Sequence, residues 1–152
     1  MRGLPGWIFG DFVAGRAAIG LLLLRLVFGA GMMVHGWPKF QNAFHWMDKN
    51  PNAPPSIVQA LAALGEFGGG AALLFGCFTP LGAIGVICTM LGAFLLVHRN
   101  DPWISTSGKS WELASLYFIV ALTLLFCGPG RFSLDWLLFG SRRGSYGGRS
   151  KR

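Results

Sequence analysis

Residues 17–39 form an apolar run of helical length that carries one arginine, Arg25, inside it and ends in His35-Gly36-Trp37-Pro38-Lys39. A cation in the middle of such a segment costs roughly 2.5–3.5 kcal/mol on insertion scales if the segment lies in hydrocarbon. The chain must therefore supply an answering group, and Glu66, in the next apolar run, is the first candidate. Three further apolar runs read as the wall built around that pair.

The surrounding composition fixes the environment. Of 152 residues, 53% are hydrophobic and 12% charged, against about 25% charged in soluble domains. Glycine (23) and tryptophan (6) are abundant, and both are enriched in membrane proteins. These features predict a small all-α integral membrane protein with one domain: a four-helix antiparallel bundle with spans at about 17–37, 56–78, 81–98 and 111–127. Each is near the ~20 residues that cross a bilayer core, the last two at the short end. An amphipathic lead, 1–16, precedes them; a secretory signal is the alternative, argued against by the long leader and the arginine inside the apolar run. Gly128-Pro129-Gly130 must stop the last span. Ser133 can then cap a short amphipathic interfacial helix, about 133–139, before a basic Gly/Ser-rich tail at 140–152.

Spans two and three are separated by Thr79-Pro80 alone and so form a tight hairpin, with Pro80 suited to a first helical turn. The polar loops 38–55 and 99–110 then lie on the opposite side. Counting Lys and Arg gives eight on the side of the termini (Arg2, Arg16, Arg131 and five in the tail) and four on the other (Lys39, Lys49, Arg99, Lys109). The positive-inside rule places both termini in the cytoplasm. The tail is read as touching anionic lipid rather than nucleic acid. Gly68, Ala72 and Gly76 on span two, with Gly82, Gly85, Thr89 and Gly92 on span three, have the spacing of close helix packing. The three cysteines lack a paired motif and read as apolar filler.

On span one, Arg25, Phe28, Met32, His35 and Lys39 recur at steps of three and four and share a face. Arg25 and Glu66 differ in depth by roughly 6 Å at 1.5 Å per residue, within reach of an arginine, so a structural ion pair is expected. His35, Lys39, His98 and Glu112 collect above it. With Tyr117 in the wall they form a polar pocket in the outer half of the bundle, open to an apolar ligand. No short His-x-x-His spacing supports a metal, no metal site is expected, and no catalytic residue is assigned.

The motifs as they stand resemble one family. Arg25-Leu26-Val27-Phe28-Gly29 and His35-Gly36-Trp37-Pro38-Lys39, followed by Gly65-Glu66-Phe67-Gly68-Gly69-Gly70 and Gly76-Cys77-Phe78-Thr79-Pro80, resemble the DoxX family of small membrane proteins. His98, Trp111-Glu112-Leu113-Ala114 and Gly128-Pro129-Gly130-Arg131-Phe132-Ser133-Leu134-Asp135 complete the likeness, which covers about residues 17–139. It implies a four-helix protein of the bacterial inner membrane. Relatives in that family include a subunit of a thiosulfate:quinone oxidoreductase, members tied to sulfur or oxidative-stress redox complexes, and distant cargo receptors or assembly chaperones.

Two functions follow as expectations. In the first, the chain is a redox-associated membrane subunit whose pocket takes a quinone: His35 or Lys39 donates to a quinone oxygen, Glu66 and Glu112 relay protons, and Arg25 holds Glu66. In the second, it is a non-catalytic accessory or assembly subunit of a larger membrane complex, associating with other membrane subunits or with itself. A small transporter is the weakest of the readings, because the spans have few polar linings.

Overall fold

The structure, a computed structural model, describes residues 12–51, 53–106 and 108–140. Most of the amphipathic lead and the basic tail lie outside the described residues. Four apolar helices follow one another: α1 (Arg16–Gln41), α2 (Ser56–Phe75), α3 (Thr79–Gly92, widening into a π-helical turn at Ala93–Val97) and α4 (Glu112–Cys127). A second π-helical turn, Trp136–Gly140, ends the described chain. There is no strand among the described residues.

The first three helices are each long and apolar enough to cross a membrane; α4, at 16 residues, is apolar but shorter. Their outward faces carry large apolar side chains such as Val27 and Phe126, 77% and 80% exposed. A soluble monomer rarely presents apolar surface on that scale, and in a bilayer it is the side that meets lipid. The chain is a helical membrane bundle.

Packing follows chain order: α1 on α2, α2 on α3, α3 on α4, with a slight touch between α4 and α1. One core joins them, built from Phe28 and Met32, Leu73, Ala83, Val86 and Met90, and Ala121 and Leu124. Small residues let α2 approach its neighbours on both sides. A Cβ at Gly36 would lie 2.6 Å from the backbone of Phe67, and one at Gly29 2.7 Å from the backbone of Gly70. Toward α3 the close approach uses Gly65 and Gly69 against Gly82 and Gly85. This corrects the expected stripe: Gly68 faces only Leu64 of its own helix, while Gly65, one turn earlier, takes the contact.

Two helix ends differ from the expected spans. α1 continues past Pro38 to Gln41. Proline removes one backbone hydrogen bond but its fixed φ suits a helix, so one more turn forms and carries Lys39. α2 stops at Phe75 because Gly76 takes φ +61°, a left-handed conformation that glycine adopts without cost. The Cys77 N–H then donates to Ala72 O at 2.9 Å.

At this hairpin end the segment after α4 folds back beneath the α2–α3 turn. Asp135, fully buried, accepts from the N–H groups of Phe78 (2.7 Å) and Thr79 (2.9 Å), two of the orphan donors at the start of α3. Its own N–H donates to Gly76 O at 2.8 Å. Ser133 Oγ accepts from the Trp136 N–H and donates to Gly130 O, so Ser133 caps the last turn as its position suggested.

Candidate functional site

The answering group for Arg25 is not Glu66. The Arg25 guanidinium donates from Nε to Leu73 O (2.9 Å), from Nη1 to Pro129 O (2.6 Å) and Phe132 O (3.0 Å), and from Nη2 to Leu74 O (3.2 Å). Leu73 and Leu74 end α2, where carbonyls lack helical partners and the helix dipole is negative. Arg25 is thus a C-cap for a neighbouring helix, in the electrostatic field of Asp135. The expected Arg25–Glu66 ion pair is therefore corrected, and the reason is directional. Side chains lean toward their own helix N-terminus. In antiparallel α1 and α2, Arg25 and Glu66 lean apart.

The same rule makes Lys39 and Glu66 converge. Lys39 Nζ lies 2.5 Å from Glu66 Oε1 and 4.8 Å from the centroid of the Trp46 ring, close enough for a cation–π attraction. Glu66 is 3% exposed. Its other oxygen, Oε2, is buried without a hydrogen-bond partner. Burying a charged acceptor unpaired is costly, so this atom is a place where a ligand donor would be stabilised.

Lys39 and Glu66 stand at one end of a long groove of about 1130 Å³. Its floor is the valley between α2 and α3, along Gly65, Gly69, Gly82 and Gly85, and it runs to Phe78 at the hairpin end. Trp46, Met47 and Pro54 of the loop after α1 cover its polar end, and His98 lines it from the end of α3. That loop is tied down by Gln59, which is buried. Trp46 Nε1 donates to Gln59 O, Met47 N–H to Gln59 Oε1, and Gln59 Nε2 to Asp48 Oδ1 and Pro54 O. Gln59 and Trp46 were absent from the expected site. A lone glutamine at the start of a span was the only available signal.

The remaining expected residues divide. His98 Nδ1 sits 2.8 Å from Asp101 Oδ2, giving the groove a second polar group at its mouth. Tyr117 packs edge-on against Phe28 and His35, with ring centroids 5.4 and 5.9 Å apart, on the α1–α4 side of the bundle and outside the groove lining. His35 is exposed there. The buried line on α1 passes through Gly36 rather than His35, so His35 faces α4 and does not reach the groove. Glu112 opens α4 and also lies outside the groove lining. The expected single pocket is thus two regions: the α2–α3 groove with Lys39, Glu66 and His98, and the α1–α4 contact with His35 and Tyr117, whose hydroxyl lies in the field of Glu66.

Outside the membrane-spanning segments, hydrogen bonds from Gln59 and then from His45 hold the Asp48 carboxyl below its ordinary value. The His45 ring nitrogen lies 2.8 Å from the Asp48 carboxylate.

Comparison with known proteins gives the family of the chain. The chain is 28% identical to "Putative oxidoreductase CatD" of Bacillus subtilis (strain 168), over 82% of this chain and 91% of that protein. It is 29% identical to "Inner membrane protein YqjF" of Escherichia coli (strain K12), over 79% of this chain and 92% of that protein. No solved structure matches the chain significantly. The DoxX family model matches residues 20–99, a stretch that holds Arg25, Lys39, Glu66 and most of the groove, and the chain belongs to the DoxX family.

Proposed function

We propose that this protein is a membrane subunit of a quinone-linked redox system, binding a quinone-type ligand in the α2–α3 groove beside Lys39 and Glu66. The observation that carries the reading is the buried Glu66 carboxylate, held on one oxygen by Lys39 and unpartnered on the other, in the wall of an apolar groove. An apolar cavity with a few convergent polar groups suits a lipophilic ring bearing polar oxygens. Lys39 has N–H donors beyond the one it gives Glu66 and can donate to a ligand carbonyl, while His98 and Asp101 connect the groove mouth to water. Electrons would come from a partner redox protein. The name of the Bacillus subtilis relative, a putative oxidoreductase, supports the redox assignment.

The name of the Escherichia coli relative and the bias of Lys and Arg support an inner-membrane location with both termini cytoplasmic. The basic tail then lies against anionic lipid.

Binding of a short-tailed benzoquinone to the full chain in lipid nanodiscs tests the reading. Wild type is expected to bind, and Lys39→Met, which removes the donor to the ligand carbonyl, to bind at least tenfold more weakly. Unchanged affinity in that variant would contradict it. Wild type that binds no quinone but purifies only with another membrane subunit would favour the accessory-subunit reading instead.

A further inference from the structure

We infer that the groove is built for the reduced, hydroxyl-bearing form of its ligand: a hydroquinone whose O–H donates to Glu66 Oε2 and whose apolar tail follows the α2–α3 valley toward Phe78. This deepens the quinone reading and rests on it.

A carboxylate beside an ammonium is an acceptor only. Lys39 satisfies Oε1, and nothing satisfies Oε2. The Trp46 indole N–H and the Gln59 amide are committed to Gln59 O, Asp48 and Pro54, and the Tyr117 O–H, which feels the Glu66 charge from the α4 side, does not bond to Oε2. A quinone carbonyl, itself an acceptor, would set oxygen against oxygen at Oε2; a hydroquinone O–H supplies the missing donor. The terminal torsion of a glutamate is broad and roughly two-fold, so a modest rotation presents Oε2 to the groove while Lys39 keeps its hold.

The rest of the groove suits a tail. Its glycine floor leaves a shallow, smooth channel with apolar walls from Leu61 to Leu81. Those walls offer a tail no hydrogen bond. The one committed polar contact is therefore at the head, and head chemistry decides affinity.

The experiment uses the full chain in nanodiscs under anaerobic conditions, with three probes sharing one decyl tail: a benzoquinone, the corresponding hydroquinone and its dimethyl ether. The hydroquinone is expected to bind at least tenfold more tightly than either other probe. In Glu66→Gln, whose amide can face the ligand with a donor, that preference should vanish or invert. Equal binding of hydroquinone and ether by the wild type would overturn the inference while leaving quinone binding intact, without relying on a variant. A Glu66→Gln protein that keeps the wild-type preference would do the same. Failure of all three probes to bind would remove the quinone reading and this inference together. So would crosslinking of a second protein chain to Cys77 or Cys88 in the groove with exclusion of every probe.

Discussion

Lys39 and Glu66 meet at 2.5 Å although Arg25 lies on the same face of α1 and was the cation expected to do so. Antiparallel helices whose side chains lean toward their own N-termini bring together a residue near the C-terminal end of one and a residue in the middle of the other. Arg25, fourteen residues before Lys39 in the sequence, leans the same way but from below Glu66, and so away from it. The bundle therefore separates the two cations by role: buried Arg25 holds the hairpin end, and half-buried Lys39 reaches the groove.

Breaking the Lys39–Glu66 pair from one side leaves the other charge buried. Lys39→Met and Glu66→Gln should each destabilise the protein, by roughly 1–3 kcal/mol given the partial exposure of the lysine. The double substitution should cost less than the sum of the two. Thermal unfolding in detergent across a double-mutant cycle measures this coupling; strict additivity would show that the two side chains do not interact.

Arg25 uses a planar fork on four carbonyls from two segments. Lysine offers three donors on one point and cannot reproduce that spread. Arg25→Lys is expected to lose most of what Arg25→Met loses, roughly 2–4 kcal/mol. Chemical or thermal denaturation of both variants checks this, and an Arg25→Lys protein as stable as wild type would contradict it.

The hairpin turn tolerates no side chain at Gly76. A Cβ there would lie 2.6 Å from Arg25 Nη2 in a backbone at φ +61°, so Gly76→Ala meets both strain and a clash. The cost is expected at roughly 2 kcal/mol or more. Asp135→Ala, which strips two N–H groups of their acceptor, should cost about 1–2 kcal/mol. Equal unfolding midpoints for wild type and Asp135→Ala would contradict the cap.

The loop after α1 should open in acid. Asp48 has its folded-state pKa depressed, chiefly by the Gln59 hydrogen bond and then by His45. Its contribution is therefore present above the unfolded carboxylate value and lost as pH falls through the lower, folded one. Hydrogen exchange at the Met47 amide, which donates to Gln59 Oε1, should lose protection over that window in wild type and at higher pH already in Asp48→Asn. Protection that is flat across the window in wild type would contradict the linkage.

The apolar runs made the helices and their order legible, because spans, turn residues and capping positions are local. Ser133 and Pro80 did the work their positions suggest. What remained hidden was directional or long-range. Depth along a helix placed Arg25 near Glu66, and only the lean of the side chains shows that they diverge. Asp135 caps a helix that begins 56 residues earlier in the chain, and Gln59 anchors a loop; neither has a local sequence signal. Lys39 and Glu66 were both among the expected residues, but Glu66 was paired with Arg25 rather than with Lys39.

Photolabelling tests the central claim most directly. A quinone carrying a photoreactive group on its tail, irradiated with the full chain in nanodiscs and mapped by mass spectrometry, should label residues of the α2–α3 valley such as Ala72 and Leu81, with labelling lost in Lys39→Met. Labels scattered over the outer faces of α1 and α4, unchanged by that substitution, would contradict a site in the groove.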